Sequence, residues 1–270
     1  MKKLLFIAAA AAGMAAVADV TSANTVGYTQ IEIKPGLNMI GTAFLKVDTN
    51  GRPDLQATFS DAKGKAKAGM ADDEADLIQV YDSTKKSYPN QFYFYAPENP
   101  EDADPDYDYK WCSNKDDEPT DFVIPSANAF WYWSRGEKDF ALTTSGAVGA
   151  ESIQVTIKPG LNMIVNPFPC ALPLNSDAAN WKDAGVKTGM ADDEADLIQV
   201  YDSTKKSYPN QFYFYAPENP EDADPDYDFK WCSNKDDEPT DFAIPAGGGF
   251  WYWSRNEKDI TITFKTPLAK

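Results

Sequence analysis

The 270-residue chain contains no histidine and only three cysteines. The absence of histidine excludes Ser-His-Asp and Cys-His catalysis, and it excludes zinc or haem sites that need an imidazole ligand. Basic residues are also scarce, because 25 Lys and Arg stand against 42 Asp and Glu and give a net charge of −17. Such an excess of negative charge argues against binding to nucleic acid or to an anionic membrane. What remains is the chemistry of carboxylates, oxygen-ligated cations, or binding without catalysis.

Long apolar runs are missing as well, apart from one at the start of the chain. Lys2 and Lys3 precede the apolar stretch 4–16, and residues 16–18 (Ala-Val-Ala) follow as an A-x-A cleavage site. This order is that of a secretory signal peptide, and the apolar run is too short to span a membrane. The sequence predicts a signal peptide at 1–18 and a secreted protein without a transmembrane segment, located in the periplasm, at the cell surface or outside the cell.

The rest of the chain is a tandem duplication of one unit. Residues 69–125 and 189–245 differ at only two of 57 positions, and the motif Phe-Trp-Tyr-Trp-Ser-Arg at 130–135 also recurs. A period near 120 residues is far longer than that of solenoids or propellers, so each copy has the size of a folding unit. The predicted boundaries are 19–148 for the first copy and 149–270 for the second.

Each copy has the sequence pattern of β-structure. Short alternating or aromatic segments are separated by Gly, Pro and Asn, and no long segment repeats every 3.6 residues. Predicted hairpins include one with a turn at Pro35 and Gly36, and one with a long acidic tip between 91–95 and 107–112. A helical turn is predicted only at 176–181. The expected fold class is all-β, with two tandem copies of a β-sandwich or barrel-like unit, separate or fused into one pseudo-symmetric domain.

Three motifs in this order resemble a family of exported bacterial β-repeat proteins. They are Ala-Asn-Thr-Val-Gly-Tyr at 23–28, Asp-Leu-Ile-Gln-Val-Tyr-Asp at 76–82 and Gly-Phe-Trp-Tyr-Trp-Ser-Arg at 249–255. The resemblance covers nearly the whole chain after the signal peptide. It implies export and β-structure, and it implies no activity and no catalytic residue. The long acidic insertion departs from the family pattern.

The pairing of the cysteines is open at this point. Cys112 and Cys232 occupy equivalent positions in the two copies, and Cys170 has no counterpart. Export allows disulfides, but three cysteines cannot all pair within one molecule. A bridge between Cys112 and Cys232, a bridge that uses Cys170, and three free thiols are the alternatives.

Each copy also carries an acidic loop with carboxylates at every second position. These are Asp102, Asp104, Asp106 and Asp108 in the first copy and Asp222, Asp224, Asp226 and Asp228 in the second. This spacing is typical of the early ligands of calcium loops, and weak extracellular sites fill at about 10⁻⁴–10⁻³ M Ca²⁺. The match to an EF-hand is poor, because Tyr107 stands where the glycine should be. The alternatives are a calcium site and a solvated acidic tip that blocks edge-to-edge strand pairing.

Aromatic residues are concentrated in two strands of each copy, and one set forms a candidate glycan-binding face. Its members are Tyr93, Tyr95, Trp131 and Trp133, with Tyr213, Tyr215, Trp251 and Trp253 in the second copy. Tyr and Trp rings can stack on sugar rings while nearby carboxylates bond the hydroxyls. The alternative is packing, because aromatic residues are favoured in strands and their cross-strand pairs stabilise sheets.

These patterns predict an exported, acidic, duplicated β-protein that acts as an extracellular or cell-surface binding or structural module and not as an enzyme. A glycan-binding module is the alternative, so polysaccharide and other cell-surface proteins are the candidate partners. A carboxylate-dependent hydrolase comes third, because many carboxylates are present but none stands in a specific catalytic pattern. Calcium is the one cofactor considered.

Overall fold

The computed structural model describes residues 25–47 and 51–266, so the predicted signal peptide at 1–18 lies outside the described residues. Strands dominate these ranges, and the all-β prediction with two units is confirmed. Within the same ranges, no helix combines the length and the apolar character that crossing a membrane requires.

The first copy is a small β-sandwich. Its described elements are β1 (Val26–Ile33), β2 (Gly36–Ile40), α1 (Leu55–Thr58), β3 (Leu77–Asp82), β4 (Ser87–Phe94), a 3₁₀ helix (Pro100–Asp102), β5 (Trp111–Ser113), β6 (Phe130–Ser134) and β7 (Phe140–Ala147). An antiparallel sheet has the strand order β2-β6-β3-β4-β5, and β1 pairs with β7 in a separate ribbon. Ile33 and Leu142 of the ribbon pack with Ile78 and Phe130 of the sheet, and this contact forms the core.

The second copy repeats this plan. Its described elements are β8 (Ile153–Ile157), β9 (Gly160–Val165), β10 (Leu172–Pro173), β11 (Leu197–Asp202), β12 (Ser207–Tyr215), a 3₁₀ helix (Pro220–Asp222), β13 (Lys230–Ser233), β14 (Ala243–Ile244), β15 (Gly249–Ser254) and β16 (Ile260–Phe264). The sheet order β9-β15-β11-β12-β13 matches the first copy, and β8 pairs with β16. The register also repeats, since Leu77 faces Tyr93 and Leu197 faces Tyr213.

The turn predicted at Pro35 and Gly36 joins two layers and does not close a hairpin. There the chain passes from β1 in the ribbon into β2 in the sheet, with Gly36 at a φ of 93° that favours glycine. This path lets Ile33 of β1 cover the sheet, which a hairpin within one sheet would prevent. The hairpin with the acidic tip is confirmed, because β4 pairs with β5.

The helical turn predicted at 176–181 is wrong, because this segment forms turns and an isolated bridge. The Ser176 hydroxyl donates to the Pro173 carbonyl at 2.8 Å and accepts from the Ala178 N–H at 3.3 Å. Such local bonds compete with a helix. The helix α1 lies instead in the first copy, where the Asp54 carboxylate caps it by accepting from the Ala57 N–H at 2.8 Å.

The two copies pack together through the outer faces of their sheets, which are the faces that point away from the ribbons. Trp131 of the first copy meets Tyr201 of the second edge to face at 5.0 Å, and Tyr81 meets Trp251 in the same way at 4.9 Å. The Trp131 indole N–H also donates to the Tyr88 hydroxyl at 3.1 Å. The contact is reciprocal, as in a two-fold homodimer, although both halves belong to one chain.

Backbone hydrogen bonds tie the copies together as well. The Ala129 N–H donates to the Met163 carbonyl at 3.1 Å, and the Gly41 N–H donates to the Gly247 carbonyl at 3.0 Å. At Gly249, an added Cβ would lie only 2.8 Å from the Ala129 Cβ, so the approach of the two copies requires glycine there. The copies therefore share a core in addition to the core that each has of its own.

Candidate functional site

The acidic loop, residues 98–110, folds back over the outer face of the sheet. Tyr107 lies beside Tyr95 with ring centres 6.3 Å apart, and its hydroxyl donates to the Glu118 carboxylate. That acceptor raises the pKa of Tyr107 to about 12. Beneath these rings, Tyr93 and Cys112 are buried. The loop thus covers one end of this face, and residues 218–230 do the same in the second copy.

The structure does not gather the predicted calcium ligands around one point. Asp102, Asp104 and Asp106 are exposed, and the Asp104 carboxylate accepts from the Asp106 N–H at 2.8 Å. Asp108 is half-buried, and its Oδ1 has no partner. Across the two described ranges, no three acidic or cysteine side chains are arranged to hold a metal ion. Calcium at these positions and at 222–228 stays a prediction, one that requires the loop to rearrange around the ion.

The structure places the eight aromatic residues of the candidate glycan face in four environments. Trp131 and Trp251 are buried between the copies, Tyr93 and Tyr213 are buried beneath the acidic loops, Tyr95 and Tyr215 are half-buried, and Trp133 and Trp253 are exposed. The eight side chains therefore do not form one continuous surface. The exposed fractions of Trp133 and Trp253 are 36% and 40%, and these two rings are the part of the set that a ligand can reach directly.

Trp133 is the centre of a small exposed surface on the first copy. It lies opposite Leu37 of β2 and Leu77 of β3, so the three side chains share one face of the sheet. The guanidinium of Arg135 stands 3.9 Å from the centre of the indole ring, which is a cation–π contact. Its Nη2 donates to the Asp72 carbonyl at 3.0 Å, and this bond fixes the side chain. We call Leu37, Trp133 and Arg135 the aromatic platform of the first copy.

The second copy has an equivalent platform formed by Leu161, Trp253 and Arg255. The Arg255 guanidinium stands 4.6 Å from the ring of Trp253. It donates from Nε to the Ala195 carbonyl and from Nη2 to the Asp192 carbonyl, both at 2.7 Å. Leu161 and Trp253 are both exposed, so this platform also faces solvent.

Each platform is anchored by a buried carboxylate that sequence reasoning missed. Asp76 is 0% exposed, and it accepts from the Tyr132 hydroxyl at 2.8 Å and from the Arg135 N–H at 2.6 Å. Burial raises the pKa of Asp76 above its ordinary value of 3.8. Asp76 ends an acidic run, 72–76, that has the composition of a solvated turn. The signal that could have found it is Tyr132, because an inward-facing tyrosine hydroxyl needs a buried partner.

Asp196 plays the same part in the second copy. Its carboxylate accepts from the Tyr252 hydroxyl at 2.7 Å and from the Arg255 N–H at 2.6 Å. The Asn256 side chain donates to it as well, at 3.2 Å. Because protein donors occupy both oxygens and the side chain is buried, this carboxylate positions the arginine of the platform and does not face a substrate.

None of the three cysteines is in a disulfide. Cys112 and Cys232 are buried, and Cys170 is exposed. Burial, assisted by the nearby Asp117, raises the pKa of the Cys112 thiol to about 11. A thiol with that pKa is protonated at neutral pH and is a poor nucleophile.

The chain matches no protein-family model, and neither a curated protein nor a solved structure is similar to it. The resemblance to exported repeat proteins therefore stays a prediction, as does export itself. The roles of individual residues follow only from the contacts described above.

Proposed function

We propose that this chain is an exported, non-catalytic binding module that holds polysaccharide on two equivalent aromatic platforms. The observation that carries the proposal is the exposure of Trp133 and Trp253 at matching positions. The neighbouring strand residues Trp131 and Trp251 are buried, so exposure here is not a general property of these strands. An exposed indole costs hydration free energy, and a binding role accounts for that cost in both copies.

The chemistry of the platform suits a sugar ring. The apolar face of a pyranose can stack on the exposed part of an indole, and its hydroxyls can bond polar groups at the rim. Arg135 supplies donors at the rim, and the neighbouring acidic turn at 72–74 supplies acceptors. Because the Asp72 carbonyl and the ring of Trp133 already hold Arg135, little conformational entropy is lost when a ligand binds.

Two platforms on one rigid body favour a repeating polymer as the ligand. The copies share a core, so the distance between Trp133 and Trp253 is fixed and no flexible linker separates them. When one platform is occupied, the second meets the same chain at a high effective concentration, which can raise the overall affinity about 10²-fold or more. A single soluble sugar gains nothing from the second platform.

The test is co-sedimentation with a panel of insoluble polysaccharides. We expect Trp133→Ala and Trp253→Ala each to weaken binding to the retained polymer by at least about tenfold, and the double variant to abolish it. Tyr28→Ala is the matched control, because Tyr28 is 73% exposed but lies on the ribbon, away from both platforms. The control should bind as the unchanged protein does.

Two results would overturn the proposal. One is full retention of binding in the folded double variant, which would show that the platforms are not the binding site. The other is the absence of binding to every polysaccharide in the panel. Release of sugars from the retained polymer would contradict the non-catalytic part of the proposal and would favour a carboxylate-dependent hydrolase.

A further inference from the structure

A cavity of about 570 Å³ lies where the two copies meet the segment that joins them. The first copy contributes Leu45 and Arg52, the joining segment contributes Glu151, and the second copy contributes Ile153 of β8 and Phe168. None of these residues belongs to an aromatic platform, so the cavity is a separate feature. Its volume is in the range of small-molecule sites.

Arg52 brings a positive charge to this cavity. The guanidinium is half-buried and donates from Nε to the Ile124 carbonyl at 2.9 Å and from Nη2 to the Thr42 carbonyl at 3.1 Å. Within the described residues, no carboxylate lies within 4.0 Å of it. Partial burial lowers the pKa of Arg52. Charges withdrawn from water are normally paired, and among the described residues none pairs with this one, so its position in a cavity points to an anionic ligand group.

Comparison of the copies shows that the fold itself does not need a cation here. In the second copy, the carbonyl equivalent to that of Ile124 belongs to Ile244, and the neutral amide of Asn166 donates to it at 3.0 Å. The repeat places Thr42 at the position of Asn166. A neutral side chain therefore satisfies the same carbonyl in one copy, whereas the other uses an arginine that also lines a cavity.

The rest of the cavity wall indicates the kind of ligand. Glu151 is an exposed acid on the rim, and it stays more than 4.0 Å from the Arg52 guanidinium. Leu45, Ile153 and Phe168 supply an apolar wall. One cation, one separate anion and an apolar wall match the three parts of an apolar amino acid. We infer that this cavity binds a free apolar α-amino acid, with its carboxylate on Arg52, its ammonium group at Glu151 and its side chain against Phe168.

Calorimetric titration of the full chain with L-phenylalanine tests the inference. N-acetyl-phenylalanine lacks the ammonium group and phenylalaninamide lacks the carboxylate, so we expect both to bind at least about tenfold more weakly. Arg52→Gln removes the charge but keeps donors for the two carbonyls, and we expect it to lose at least about tenfold in affinity. Lys235→Gln is the matched control, since Lys235 is an exposed cation outside the cavity.

A second variant keeps the test decisive if Arg52→Gln does not fold. Ser126 is an exposed residue of the cavity wall, and Ser126→Trp should block the cavity without touching the guanidinium. Loss of phenylalanine binding in a folded Ser126→Trp protein supports the inference. Undiminished binding in either folded variant, or no binding of phenylalanine at millimolar concentration to the unchanged protein, overturns it. Polysaccharide binding is scored separately, because the platforms share no residue with the cavity.

Discussion

At the scale of single residues, the buried carboxylates Asp76 and Asp196 dominate the energetics of the platforms. We expect Asp76→Leu to lower the free energy of unfolding by roughly 2–4 kcal/mol, because it leaves the buried Tyr132 hydroxyl and the Arg135 N–H without acceptors. Asp76→Asn should cost less, since its oxygen can accept from Arg135 while its amide donates to the tyrosine oxygen. Urea denaturation measures both changes.

Asp73→Asn is the control for this prediction. Asp73 lies three residues away on the exposed surface, and its loss should change stability by less than about 0.5 kcal/mol. If Asp76→Leu proved no more costly than Asp73→Asn, the buried carboxylate would have no part in holding the arginine of the platform.

The same carboxylates lead to a prediction on pH. Burial raises the folded-state pKa of Asp76 and Asp196 above the ordinary value of 3.8. The folded state therefore binds these protons more tightly than the unfolded state does. Their stabilising contribution is complete below pH 3.8 and is lost as the pH rises through the folded-state pKa. We expect this contribution to be missing from the Asp76→Asn, Asp196→Asn double variant when urea denaturation is followed from pH 7 to pH 4.

Comparison with the unchanged protein isolates the effect, because protonation of the many surface carboxylates is common to both proteins. As the pH is lowered from 7 towards 4, the unchanged protein should gain stability relative to the double variant. Parallel pH profiles for the two proteins would show that burial does not shift these two groups.

Strand alternation predicts which side chains share a face, but it cannot predict what covers that face. It places Tyr93, Trp131 and Trp133 together on the outer face of the sheet. The three differ in exposure because the acidic loop covers Tyr93 and the second copy covers Trp131. The second copy is distant in sequence from Trp131, and strand alternation does not show that the acidic loop folds back over Tyr93, so the sequence alone overestimates the extent of the accessible aromatic surface.

At the scale of elements, the acidic loop acts as a lid that shields a thiol. Tyr107 fastens this loop to the rest of the copy, because its ring contacts Tyr95 and its hydroxyl donates to Glu118. We expect Tyr107→Ala to loosen the lid and to increase the rate at which iodoacetamide alkylates Cys112, measured by mass spectrometry of the digested protein. Cys232 is an internal reference, because the second copy keeps its own lid intact.

Tyr109→Ala serves as the matched variant for this prediction. Tyr109 belongs to the same loop, but its exposed ring contacts Lys63 and does not cover the thiol. Its loss should leave the alkylation rates of Cys112 and Cys232 equal. Equal rates in Tyr107→Ala would mean that something other than this tyrosine keeps the loop in place.

The elements also show where sequence patterns lose information. The pairing of β4 with β5 was predictable, because two aromatic segments flank one polar loop. The partner of β1 was not, because alternation at 28–33 suits either sheet and only the burial of Ile33 decides between them. In the same way, Ser176 offers both a helix cap and a local turn, and the neighbouring Pro173 carbonyl determines the outcome.

At the scale of the whole molecule, the interface between the copies makes unfolding cooperative. We expect Trp131→Ala and Trp251→Ala to lower the free energy of unfolding by similar amounts, roughly 3–5 kcal/mol, because their contacts are reciprocal. The unchanged protein should unfold in one calorimetric transition, with equal calorimetric and van't Hoff enthalpies. Combining both substitutions should split it into two.

The comparison variant is Trp133→Ala, which removes an indole of the same size from the same strand. Trp133 is exposed and does not belong to the described hydrophobic cluster between the copies, so its loss should cost less than about 1 kcal/mol and leave a single transition. Two transitions in the unchanged protein would mean that the copies unfold independently in spite of their shared core.

The near identity of the two copies has a consequence for biosynthesis. Strands β3 to β5 and β11 to β13 have almost the same sequence, so β6 can recognise either set, and misassembly by strand exchange is a characteristic failure of repeat proteins. When the exported chain emerges from the membrane with its N-terminus first, the first copy is complete before residues 189–245 emerge, which lets β6 select its own neighbours. Refolding of the whole chain from denaturant removes that order. In the cell, the order in which the two copies emerge, more than their sequences, would keep each strand in its own half.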